Sequence, residues 1–268
     1  MRRPSCFGSS VSDVIQSLPV LVPGRESPGP RQGTDNSFHT PVHACYRAGM
    51  TDMQHRLFVD AGGGEGGALA GLGALDPDIA RALAKYGPPP DRSLPAGFET
   101  LARAIVGQQV SRAAASAIWQ KMEARGVTGM DAVAGAGIEE MMEAGLSRRK
   151  AEYLICIADE IASGRLDIGS LANMRGEDVQ KRLVAIRGVG AWTADNFRLF
   201  ALADMDAWPV KDVALQEAMR ILKSLDARPT AEEMETLGEA WRPWRGAGAL
   251  VLWHLYAFEV RKVTVADI

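Results

Sequence analysis

From about residue 72 to Lys262, apolar residues of this 268-residue chain recur at helical spacing, with Gly or Pro at the breaks. β-branched alternation at period two is nearly absent. A period near 3.6 buries one stripe of a helix and a half-buried strand needs a period of two, so the pattern predicts an all-α domain. Asp76-Pro77 marks a helix start running to about Tyr86, and Gly87-Pro88-Pro89-Pro90 closes it by removing amide donors and fixing φ. Phe98, Leu101, Ile105 and Val106 mark the next helix. Further helices are expected over residues 110–125, 137–144, 147–163, 176–185, 191–203, 213–222, 230–241 and 247–261. Tyr153, Leu154, Ile157 and Ile161 read as one apolar face of the 147–163 segment.

Upstream of this region the composition changes. Residues 1–71 are dominated by Ser, Pro, Gly, Arg and Gln and end in a run of glycines, the composition of a disordered tail. The expected organisation is therefore a tail over 1–71, one compact domain over 72–262 and a short C-terminal tail over 263–268. Met50 and Met53 are alternative starts. His39, His43, Cys45 and His55 fit no zinc spacing and read as tail residues. Three scattered cysteines, Cys6, Cys45 and Cys156, are too few for a disulfide framework or a Cys₄ iron–sulfur site. No stretch approaches 18 uninterrupted apolar residues, and Pro19 interrupts the short run at 17–22, so a cytoplasmic chain is expected. The net charge of −3 gives no global signal for nucleic acid, and any such partner must be met by a local site.

The segment Leu183-Val184-Ala185-Ile186-Arg187-Gly188-Val189-Gly190-Ala191-Trp192-Thr193-Ala194 is the most informative. Two glycines separated by one apolar residue between helices let the backbone turn tightly and leave amides pointing outward at a helix N-terminus. Such a turn is either a plain helix–helix connection or a phosphate site. Asp212 stands immediately before the apolar-periodic run Val213, Leu215, Met219 and Leu222. An N-cap and a functional carboxylate both fit that position, and the two roles are compatible. Asp195 and Asp206 read as a solvated helix position and a loop residue. Trp119, Trp241 and Trp244 lie in helical patterns and read as packing.

These residues resemble the helix-hairpin-helix motif of DNA repair glycosylases, and the chain from about Leu72 to Glu259 resembles the 3-methyladenine DNA glycosylase II family. Four segments in order carry the likeness: 98–111, including Arg103-Ala104-Ile105-Val106-Gly107-Gln108-Gln109-Val110-Ser111; Leu146-Ser147-Arg148-Arg149-Lys150-Ala151; the hairpin, where Arg187 stands in place of a frequent Pro; and Trp241-Arg242-Pro243-Trp244-Arg245 followed by Trp253. The resemblance implies a two-lobed all-α fold with a cleft between the lobes, without the N-terminal antiparallel sheet domain of one family member. It implies that Asp212 is the catalytic carboxylate, and that Trp192, Trp253 and Asn196 line the base pocket. Gln109 would fill the gap left by a flipped nucleotide, with Gln108 beside it, and Gly188, Val189, Gly190, Thr193 and Ser111 would bind DNA phosphate.

Asn196 occupies a position where some relatives place an aromatic residue, which implies a more open or polar pocket. Trp192 stands where bifunctional relatives carry a lysine nucleophile, so the implied reaction is hydrolysis of the N-glycosidic bond without strand cleavage. Lys211, beside Asp212, is expected to meet phosphate or solvent. An alkylated purine is cationic and is attracted to an indole face. The implied partner is duplex DNA containing alkylated bases, bound by a nucleoid-associated monomer with no membrane contact. No catalytic metal and no iron–sulfur cluster are implied, although hairpin carbonyls could hold a monovalent cation. The competing readings are a non-catalytic module that binds distorted DNA and a glycosylase with lyase activity.

Overall fold

The computed structural model describes residues 67–263, and these are helical and irregular with no strand. The expected tails therefore lie outside the described residues, apart from 67–71 and Val263. In chain order the helices are α1 Gly67–Leu75, α2 Pro77–Tyr86, α3 Phe98–Gly107, α4 Arg112–Ala124, α5 Met130–Gly135, α6 Ile138–Glu143 and α7 Arg148–Ala162. They continue with α8 Ile168–Leu171, α9 Gly176–Val184, α10 Ala191–Leu202, α11 Val213–Leu222, α12 Ala231–Glu239 and α13 Arg245–Glu259. Among the described residues no helix is long and apolar enough to cross a membrane.

Local chemistry explains many of the starts. Asp76 accepts from the Asp78 amide at 2.9 Å with Pro77 in the first turn, and Ser147 accepts from the Lys150 amide at 3.3 Å. Thr230 and Glu233 form a reciprocal capping box at α12. Three helices were not expected from the pattern. Helices α5 and α8 have six and four residues, too few to display a period. Helix α1 takes in 67–71, which composition assigned to the tail. Burial of Ala68, Leu69 and Leu72 holds it in place, and a Cβ on Gly71 would collide with the Trp244 ring. Tertiary packing thus overrides a glycine-rich local sequence.

The helices enclose two apolar cores. One joins α1, α2, α11, α12 and α13 around Leu72, Trp208, Met219, Trp241 and Trp253. The other lies in the middle of the chain, around Leu101, Ile105, Leu154, Ile157 and Leu183. Helix α10 belongs to both, giving Ala194 and Phe197 to the second core and Leu199 and Phe200 to the first. Its position between two lobes is what later places the site.

Asp195 is not a solvated helix position. It is buried on α10, and its Oδ1 accepts from Arg198 Nη1 and Gln180 Nε2, both at 2.8 Å, which ties α9 to α10. Burial pushes its carboxyl up to about 7, against the opposing pull of Arg198 and Gln180. Asp206 is a loop residue, but it binds Arg242 at 2.8 Å and Arg245 at 2.7 Å. Trp208, which no motif singled out, is buried, packs edge-on against Trp241 and donates to the Met234 carbonyl at 3.0 Å.

Asp76 joins the two ends of the first lobe. Besides capping α2, its Oδ2 accepts from Lys223 Nζ at 2.6 Å and from Trp241 Nε1 at 2.7 Å. Burial raises its carboxyl, but the hydrogen bonds from Lys223, Trp241 and the Asp78 amide outweigh this and hold it below the ordinary value of 3.8. Asp76→Ala removes a cap and leaves a buried indole N–H unpaired, so it should cost about 2–4 kcal/mol. At roughly 2–4 °C per kcal/mol, thermal denaturation at neutral pH should show a Tm loss of about 4–16 °C. Because the folded carboxyl is depressed, this contribution is present above the ordinary carboxylate range and lost as pH falls through the lower folded value. The melting curves of wild type and variant should therefore converge in acid. Equal Tm at pH 7 would show that this junction contributes nothing.

Candidate active site

The turn between α9 and α10 forms one wall of a cleft of about 430 Å³. Gly188, Val189 and Gly190 face Gln108 and Gln109, and the start of α7 completes the wall with Ser147, Arg149, Lys150 and Tyr153. Gly188 has φ +97°, and a Cβ there would collide with the Tyr153 ring, so both conformation and close approach require glycine. Gly190 differs: it has φ −86°, caps α10 without a side-chain bond, and has open space where a Cβ would stand. The first amides of α10 lack intrahelical acceptors by geometry and carry the positive end of its dipole. The Gly188 carbonyl accepts from Gln108 Nε2 at 3.2 Å, which ties the α3–α4 loop to the hairpin.

The cleft is basic. Lys150 Nζ donates to the Val106 carbonyl at 2.8 Å, and burial lowers its ammonium pKa. Arg149 Nε donates to Tyr153 Oη at 2.6 Å. Arg187, which stands in place of a proline frequent in the family the chain resembles, lies 5.8 Å from the Tyr153 ring centroid and pairs with Glu152 at 2.9 Å. Gln109 is exposed and holds φ +56°, a left-handed conformation that costs a residue with a side chain on the order of 1 kcal/mol or more.

Beyond the hairpin lies a buried carboxylate. Asp212 is 1% exposed and caps α11, its Oδ1 accepting from the amides of Ala214 at 2.9 Å and Leu215 at 3.0 Å. Trp253 Nε1, from α13, reaches the same oxygen at 3.3 Å. Trp192 Nε1, from the first turn of α10, donates to Oδ2 at 2.9 Å. All four partners are N–H donors, as an acceptor-only ionised carboxylate requires. Oδ1 carries three of these bonds and Oδ2 one, so Oδ2 keeps acceptor capacity. Trp192 is half-buried and Trp253 is buried, with its ring stacked on Phe200 at 5.5 Å. Such a carboxylate can stabilise positive charge developing beside it or accept a proton from water.

The structure brings Asp212, Trp192 and Trp253 together, and it brings Gln108, Gln109, Gly188, Val189 and Gly190 together. Asn196 lies one turn beyond Trp192 and donates to the Trp192 carbonyl at 2.7 Å. Thr193 and Ser111 do not line this cleft. The Thr193 side chain is buried and leaves its amide among the first of α10, and the exposed Ser111 hydroxyl accepts from the Ala114 amide at 3.2 Å and keeps its own proton to donate. Lys211 is exposed. Cys156 is half-buried, while Cys6 and Cys45 lie outside the described residues. The part of the cleft that motif reading missed is Arg149, Lys150 and Tyr153. Its signal was three consecutive cations, Arg148-Arg149-Lys150, in the first turn of α7, where the helix dipole disfavours positive charge.

Residues 102–243, just over half of the chain, match the family model described as HhH-GPD superfamily base excision DNA repair protein. A Bacillus subtilis protein named DNA-3-methyladenine glycosylase is 29% identical over 175 residues, covering 60% of this chain and 58% of its own. A second Bacillus subtilis relative is 33% identical over 123 residues, 46% of this chain and 43% of its own, so the chain spans about half the length of these two. A Schizosaccharomyces pombe 3-methyladenine DNA glycosylase, solved in complex with abasic DNA, is 27% identical with a TM-score of 0.64, covering 74% of this chain and 98% of its own. With the hairpin, the two lobes and the matched segment in agreement, the chain belongs to the HhH-GPD superfamily of base excision DNA repair proteins.

Proposed function

We propose that the protein is a monofunctional DNA glycosylase that hydrolyses the N-glycosidic bond of alkylated purines, 3-methyladenine above all, in duplex DNA. The observation that carries this reading is the buried Asp212 carboxylate, gripped by two indoles and placed behind a basic hairpin cleft. A phosphate of the duplex would sit on the amides at the start of α10, with Arg149 and Lys150 alongside. The target nucleotide must leave the stack to reach Asp212, at a cost of a few kcal/mol that is smaller for damaged pairs. Gln109, exposed and already turned outward by its positive φ, would fill the vacated space.

Asp212 Oδ2, the oxygen with spare acceptor capacity, would face C1′ as the base departs and positive charge develops on the sugar. The same oxygen would orient the attacking water and take its proton. An alkylated purine leaves as a neutral base without prior protonation, so one carboxylate suffices. Trp192 has no amine to attack the sugar, which favours hydrolysis over lyase chemistry. A module that only binds distorted DNA would use this carboxylate as a cap and a joint alone, and release of free base separates that reading from the catalytic one. The Ile186 and Gly188 carbonyls each accept one hydrogen bond and keep a second lone pair, and hairpin carbonyls of this kind would hold a monovalent cation beside the phosphate. The same reading makes the protein a monomer acting at the nucleoid, where its substrate lies.

Asp212→Asn should lower the single-turnover rate of base release by about a hundredfold or more, the scale of losing one preorganised electrostatic partner of the transition state. Affinity for abasic-site duplex should persist. Half the wild-type rate in this variant would reduce Asp212 to a helix cap. The hairpin glycines separate stability from binding. Gly188→Ala should lower Tm, because the new Cβ meets Tyr153 and holds a positive φ. Gly190→Val should keep Tm within about 4 °C and weaken binding to all duplexes alike, without changing sequence preference. Unaltered DNA affinity in a folded Gly190→Val protein would move the phosphate site elsewhere.

A further inference from the structure

One buried polar atom on α10 has no partner. Asn196 is 3% exposed, and its Oδ1 is buried and accepts no hydrogen bond. Its orientation is fixed by the other half of the amide, because Nδ2 donates to the Trp192 carbonyl at 2.7 Å. Rotating the amide by 180° would set two oxygens against each other and strand the NH₂ group. A buried acceptor left unpaired costs on the order of 1–3 kcal/mol, so an orphan in a folded protein calls for a reason.

The position of the orphan supplies one. Trp192, Asn196 and Phe200 stand at four-residue intervals on α10 and share one face, about one 5.4 Å turn apart. At one end of this stripe Trp192 holds Asp212 Oδ2. At the other, Phe200 stacks on Trp253, which holds Asp212 Oδ1. Asn196 lies between them, on the face of α10 that addresses the carboxylate and the buried indole.

We propose that Asn196 Oδ1 accepts a hydrogen bond from the exocyclic amine at C6 of the flipped purine, making the site selective for adenine-type over guanine-type lesions. This rests on the glycosylase reading above. An adenine-type base presents N–H donors at C6, which satisfy the orphan. A guanine-type base presents a carbonyl there, which repels Oδ1 and leaves both oxygens unpaired. A site built to pair a substrate N–H discriminates strongly against an analogue lacking it, because its own buried partner then stays unsatisfied. Methylation at N3 leaves both C6 groups in place, so the contact reads the parent base and not the added methyl.

The test is release of 3-methyladenine and 3-methylguanine from one preparation of methylated duplex DNA, in which the two lesions compete and initial product ratios, divided by the ratio of the lesions at the start, give relative kcat/KM. Wild type should favour 3-methyladenine. Asn196→Leu should lower that ratio by about tenfold or more, through a loss of 3-methyladenine release in a protein that circular dichroism shows to be folded. Asn196→Ala, which also removes the acceptor but adds no volume, should show the same shift and guards against a folding failure of the leucine variant. The proposal is overturned if wild type favours 3-methylguanine, if the ratio is unchanged in an active Asn196→Leu protein, or if both rates fall together. The first and second outcomes leave the glycosylase reading standing. Absence of any base release by wild type would instead remove the glycosylase reading itself, and this contact with it.

Discussion

A carboxylate with 1% exposure has to be surrounded by donors, and at Asp212 those donors come from three helices. The amides of Ala214 and Leu215 belong to α11, Trp192 to α10 and Trp253 to α13. An unpaired buried carboxylate would cost several kcal/mol, so the relative placement of these helices is dictated by the need to satisfy it. The group proposed to do the chemistry is thus also the joint of the first lobe. Preorganisation follows directly, since a carboxylate held by four fixed N–H groups needs little rearrangement when charge appears beside it.

Helix α10 transmits this placement to the hairpin. Its first turn carries Trp192, its N-cap is Gly190, and its two faces belong to different cores. The distance from hairpin backbone to carboxylate is therefore fixed by one rigid element of 12 residues. Asp195 strengthens that element by pairing with Arg198 inside the protein and with Gln180 on α9. Two local costs are tolerated along this path, the positive φ of Gln109 and the unpaired Oδ1 of Asn196. The proposed function would compensate both on nucleotide flipping, one by filling the gap and one by pairing with the base.

Local signals were legible in the sequence and long-range ones were not. Asp76-Pro77 and Thr230 were readable as helix starts because a cap acts within three residues of itself. The hairpin glycines were readable as a tight turn, but only the structure separates Gly188, pressed on Tyr153, from Gly190, which has open space. Helix α1 could not be seen, since its glycines suggest a linker and its stability comes from Trp244 and the distant first core. Asp195 looked solvated because an i,i+3 pair with Arg198 is usual on an exposed helix face, whereas its burial and its bond from Gln180 arise only once α9 packs on α10. Nothing in the sequence shows that the Thr193 side chain is buried, because burial depends on how α10 packs between the lobes. The resemblance located Asp212, Trp192 and Trp253, whereas their common hydrogen-bonded node depends on pairs 20 and 41 residues apart.

The central claim is that a carboxylate, with no amine nucleophile beside the sugar, performs hydrolysis on a flipped base. Incubation of wild-type protein with methylated duplex DNA, followed by chromatography of free bases, gel analysis of strand length and trapping with borohydride, tests it directly. Free 3-methyladenine should appear, the strands should stay full length until alkali opens the abasic sites, and borohydride should capture no protein–DNA adduct. No released base, or strands cleaved and protein cross-linked without alkali, would contradict it.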